Sequence, residues 1–91
     1  MEVITSAAIR YKQTVYRGKN HAECIVAAHK ATGDKPIRGE QGFTVMDRRV
    51  EITPERFVDR REAKKIARRS GQLAYSRVGD ELFSEDINRY L

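Results

Sequence analysis

The chain has no tryptophan, two prolines and one cysteine among its 91 residues. Cys24 on its own rules out an internal disulfide, so a small secreted scaffold held by bridges is excluded and a reducing compartment is expected. No apolar run approaches the length of a membrane span. Met1 to Thr5 lack the basic start and long apolar stretch of a signal peptide, so a cytosolic protein with no membrane association is expected. No segment is low in complexity, no period of 20 to 50 residues recurs, and the prolines are scattered, which leaves nothing that reads as a linker. One domain spanning residues 1–91 follows.

Charge, by contrast, is plentiful. Eighteen Lys and Arg against thirteen Asp and Glu leave a net charge of +5, and 34% of the residues are charged. Anionic partners are favoured. A domain this small buries only about 60–65% of the surface its unfolded chain exposes, so its core is thin and self-association would stabilise it.

Local patterns predict a small α+β domain, an antiparallel sheet with two main helices on one side. Val3–Tyr11 and Gln13–Tyr16 are rich in β-favouring residues and read as an opening hairpin. Asn20 with Glu23 three residues on is a capping box, starting a helix that runs to about Thr32 and ends at Gly33, with Ile25, Ala28 and His29 on one side. Asp34 to Gly42 reads as a surface loop. Phe43–Met46 and Val50–Ile52 read as a second hairpin about a turn at 47–49. Asp59 with Glu62 caps a second helix whose apolar stripe is Ala63, Ile66 and Ala67, ending at Ser70-Gly71. Leu73–Val78 reads as a last strand, and Ser84–Ile87 as a short helical turn capped by Ser84.

Arg60, Arg61, Lys64, Lys65, Arg68 and Arg69 surround that stripe, and the helix start adds the partial positive charge of unpaired backbone N–H groups. Arg60 or Arg61 could fork onto a phosphate there, or the row could be an ordinary solvated face. Phe43 follows Gly42, which permits close approach of backbone to a ligand, so its ring is either a base-stacking platform or a core aromatic. Tyr16 and Tyr75 are lesser candidates of the same kind, and Tyr11 and Tyr90 lesser again. Asp59 is a helix cap whose second oxygen could meet a ribose hydroxyl. His21, Cys24 and His29 do not share one face and have no fourth partner, so no metal site is expected; His21 at the first turn could meet a phosphate or a second subunit. No nucleophile with an oriented base appears at recognisable spacing, and no glycine fingerprint of a phosphate loop is present. Binding without turnover, with no cofactor and no catalytic residue, is the expectation.

Glu40-Gln41-Gly42-Phe43, Arg56-Phe57-Val58-Asp59-Arg60-Arg61-Glu62-Ala63 and Leu82-Phe83-Ser84-Glu85-Asp86 together resemble the phage Thoeris anti-defence sponges of the first, cyclic ADP-ribose-sequestering type. The resemblance is carried by the C-terminal half. It implies a phage protein acting in the host cytoplasm that captures glycocyclic ADP-ribose, with cyclic oligonucleotides as a second ligand class held by some members, without degrading them. It also implies assembly into dimers or hexamers. By the same resemblance Phe43 is the stacking ring, Asp59 the acidic residue at the helix cap and Arg77 a phosphate-binding arginine. The expected ligand-binding set is completed by Gln41, Gly42, Arg60, Arg61, Arg17 and His21. Residues 47–54 depart from the pattern as an insertion that could reshape the pocket. Two other classes compete with this reading: a small basic nucleic-acid-binding phage protein, and an assembly component whose basic surface meets acidic partners.

Overall fold

A computed structural model describes residues 2–47, 55–73 and 79–87. Four strands, β1 (Glu2–Tyr11), β2 (Thr14–Gly18), β3 (Glu40–Asp47) and β4 (Arg56–Asp59), form one antiparallel sheet in the order β2-β1-β3-β4. The helices are α1 (His21–Thr32), α2 (Arg60–Ser70) and the single turn α3 (Ser84–Ile87). The architecture is α+β. The β1–β2 hairpin turns through Lys12 and Gln13, both at positive φ (49° and 68°), the backbone sign that lets a two-residue turn follow the twist of its strands.

Alternation along the strands sends Ala7, Ile9, Phe43, Val45 and Val58 to one face, where they meet Cys24 of α1, Ala63, Ile66 and Ala67 of α2, and Leu82 and Ile87. Both main helices therefore share a single core with the same face of the sheet. Ile4 reaches that core too, because the register shift between Ile4 and Ser6 changes which residues of β1 face inward.

Both caps form where the sequence places them. Asn20 Oδ1 accepts the Glu23 amide at 2.9 Å, Asp59 Oδ1 accepts the Glu62 amide at 2.8 Å, and Gly33 and Gly71 close the two helices in the left-handed region. Elsewhere the expectations need correction. Glu40–Gly42 belong to β3 rather than to a loop, since they pair with Ala8–Arg10 of β1. The strand beside β3 is Arg56–Asp59, in the register Gly42↔Asp59 to Val45↔Arg56. The expected strands at 50–52 and 73–78 fall largely or wholly outside the described residues. On α1 the buried pair is Cys24 and Ala28, whereas His29 is exposed and bonds the Asp34 carbonyl at 2.7 Å. Ser84 is the first residue of α3 rather than its cap, and Asp86 Oδ2 accepts the Phe83 amide at 3.0 Å.

Candidate functional site

Arg60 is the first residue of α2, directly after the short strand β4, which brings it beside Gln41 of β3. Its Nη2 donates to Gln41 Oε1, its Nη1 lies 3.8 Å from Glu81 Oε2, and its guanidinium sits 4.9 Å from the centre of the Phe83 ring. Its Nε is buried with no hydrogen-bond partner. The Leu82 amide donates to the Arg60 carbonyl at 3.0 Å and Lys64 Nζ donates to the Gly79 carbonyl, so residues 79–83 are fastened along the start of α2.

Two hollows meet at this arginine. One, of about 390 Å³, is lined by Asn20, His21 and Ala22 at the start of α1 together with Arg60, Phe83, Ser84 and Glu85. The other, of about 430 Å³, is lined by Gly39, Gln41, Asp59, Arg60, Arg61 and Glu81 at the start of α2. Each volume is in the range of small-molecule sites. Arg60 thus stands between the N-terminal ends of both main helices, where backbone N–H groups and the helix dipoles favour negative charge.

His21 braces the first hollow. Its Nε2 donates to the Gly42 carbonyl at 2.8 Å, leaving Nδ1 to accept the Ser84 hydroxyl at 2.8 Å, and its ring stands edge-on to Phe43 with centroids 5.1 Å apart. That arrangement is the neutral tautomer with the proton on Nε2. Burial lowers the pKa of His21 from its ordinary value, against a smaller upward push from the Gly42 hydrogen bond.

The structure brings Gln41, Asp59, Arg60, Arg61 and His21 together around these hollows. Phe43 does not join them. Its side chain is 0% exposed in the core, so no base can reach the ring in this arrangement, and the stacking role assigned to it is corrected to packing under His21. Gly42 has a structural requirement of its own: a Cβ there would lie 2.1 Å from the Val58 carbonyl oxygen and 2.6 Å from the Phe57 ring. Arg17 lines neither hollow. It pairs with Glu55 and lines two other hollows, one with Thr5, Ser6 and Lys19 and one with Ala22, Val26 and Lys30 of α1. Arg77 is outside the described residues. Of the lesser aromatics, Tyr11 and Tyr16 are half-buried on β1 and β2, with the Tyr11 hydroxyl donating to Asp34 at 2.8 Å, while Tyr75 and Tyr90 are outside the described residues. Asp59 holds its cap with one oxygen.

Sequence reasoning missed Phe83, Ser84, Glu81 and Asn20 as lining residues. The segment Leu82–Asp86 stood out as a motif, but nothing local reveals that it folds back onto α2. Cys24 is buried, with its thiol pushed up to about 11 by burial and directed at the Asn20 carbonyl. Among the described residues, no group of three or more His, Cys, Asp or Glu side chains is placed to hold a metal ion, and no helix is long and apolar enough to cross a membrane.

One family model, described as Phage T4 y16D protein, matches residues 3–87. No curated protein and no solved structure matches the chain.

Proposed function

Because the chain belongs to the phage T4 y16D protein family, a family of phage proteins, we propose that it acts in the host cytoplasm as a binder of cyclic ADP-ribose-type signalling nucleotides, holding them without breaking a bond. The observation that carries this reading is Arg60 between two helix N-termini, with a hollow on either side. A ligand with two phosphates and two ring ends could span both hollows, with the Arg60 and Arg61 guanidinium groups on its phosphates. Phe83, already stacked against Arg60, replaces Phe43 as the aromatic of the site. Neutral His21, Ser84, Asn20 and Gln41 supply hydrogen-bonding partners for sugar and base edges. Cyclic oligonucleotides have the same phosphate and base chemistry and are the second ligand class.

Capture succeeds only if it depletes the signal, which calls for a dissociation constant on the order of nanomolar. Calorimetry with cyclic ADP-ribose isomers, cyclic di- and trinucleotides and short single-stranded DNA tests the reading. Expected are tight binding of a cyclic nucleotide, its recovery intact after denaturation, and at least a tenfold loss in Arg60→Gln, since a charge-assisted hydrogen bond contributes about 1.5–3 kcal/mol. Glu81→Gln, which removes the carboxylate competing for Arg60, should bind more tightly. Binding of none of the cyclic ligands would overturn the proposal.

The protein also pairs with a second copy in this reading. Ala22, Glu23, Val26, Ala27 and Lys30 line one face of α1, and Val26 is 51% exposed. An antiparallel pairing of two such helices about Val26 and Ala27 sets Glu23 against the partner's Lys30 twice, so the face is complementary to itself.

A further inference from the structure

The outward side of α2 presents Arg61, Lys65, Arg68 and Arg69, all exposed. At 100° per residue these four positions fall in a stripe about 100° wide and about 12 Å long, opposite the buried Ala63, Ile66 and Ala67. Cations this close repel one another, and a folded surface ordinarily offsets them with nearby carboxylates. Among the described residues, four carboxylates beside α2 are engaged elsewhere. Glu62, on α2, lies 3.2 Å from Arg56; Glu2 is held by Arg56 at 2.8 Å; Asp59 caps the helix; Glu81 faces Arg60. Among the described residues none of the four stripe cations has an ion-pair partner. Arg69 does reach Glu2 electrostatically, but as a lesser influence than Arg56.

We infer that this stripe binds the phosphodiester backbone of a nucleic-acid duplex, as a second surface that shares only Arg61 with the Arg60 hollows. Duplex DNA carries one negative charge per about 1.7 Å of axis, so a stripe this long faces several phosphates. No aromatic side chain interrupts it, which favours contact with the backbone over stacking on unpaired bases. The contact has no base readout and is therefore independent of sequence.

The test measures binding of fluorescent duplex DNA, duplex RNA and single-stranded DNA to the full chain across a salt series, beside the triple variant Lys65→Gln, Arg68→Gln, Arg69→Gln. Arg61 is left in place because it also lines a nucleotide hollow. Four phosphate contacts predict that duplex affinity falls about 100-fold between 50 and 200 mM salt. In the triple variant the log–log slope shrinks by about 2 to 3 units and low-salt affinity drops at least tenfold, with melting unchanged because the three side chains are exposed. No duplex binding at 50 mM salt, an unchanged triple variant, or binding of single strands alone would each overturn the inference. Arg60→Gln separates the two surfaces, since it removes nucleotide capture and leaves the duplex slope intact.

Discussion

In its neutral form His21 donates from Nε2 to the Gly42 carbonyl and accepts the Ser84 hydroxyl at Nδ1, and burial favours that form. Protonation would reverse the Ser84 contact and place a charge in a half-buried site close to Arg60, so burial first and Arg60 second hold the His21 pKa down. In the unfolded chain the imidazole titrates near its ordinary 6.5, whereas in the fold it does so lower. The unfolded state therefore takes up the proton first, so this contribution to stability is complete above pH 6.5 and is lost as pH falls through the folded value. Melting temperature should decline between pH 7 and 5, and His21→Ala should flatten that decline whatever its cost at neutral pH. An equal slope in both proteins would show that the imidazole is not the titrating group. Ligand capture should weaken over the same window, since the hollow lined by Ser84 and Asn20 rests on this brace.

At the scale of elements, caps made both helices legible, because Asn20 to Gly33 and Asp59 to Gly71 are local signals that need no knowledge of the rest of the fold. The partner of β3 was not legible in the same way. Arg56–Asp59 is four residues long and carries two arginine-to-carboxylate pairs at its start, and only pairing with β3 makes it a strand. The same alternation decides the site: Phe43 pairs with Val58 and points inward, and its neighbours Gly42 and Thr44 point to the other face. A stacking ring next to a glycine was a reasonable pattern, but the period of two sent it to the core. The residues at the start of α2 were found because the cap located that start.

Gln72 shows a further element-scale device that the sequence does not announce. Its Oε1 accepts the Ile4 amide at 2.7 Å and its Nε2 donates to the Ile4 carbonyl at 3.0 Å, so one side chain acts as a neighbouring strand where β2 no longer accompanies β1. The Ser70 hydroxyl donates to the same Oε1 at 2.8 Å and fixes the amide's orientation. Gln72→Leu would leave two buried backbone groups of Ile4 without partners, a loss on the order of 2–3 kcal/mol. In a domain of this size that lowers the melting midpoint by about 10 °C. Urea denaturation showing a loss under about 0.5 kcal/mol would mean that water or a rearranged strand end satisfies Ile4 instead.

For the whole molecule the open question is what stabilises a thin core whose first helix buries only Cys24 and Ala28 out of twelve residues. Among the described residues, Val15 and Val26 are the large apolar side chains left exposed, and Val26 lies on the outward face of α1 with Ala22 and Ala27. A two-fold pairing of α1 would cover that face and bring Glu23 to the partner's Lys30 at both ends. Light scattering across a concentration series should then find dimers that Val26→Lys converts to monomers, because two ammonium groups would meet at the centre of the contact. Charge exchange tests the geometry more sharply than loss of apolar area does. Glu23→Lys alone, or Lys30→Glu alone, should weaken association by placing like charges opposite each other, and the two changes in one chain should restore it. Failure of the double variant to recover, while its helix content and melting stay near those of the parent, would exclude an antiparallel α1 pairing.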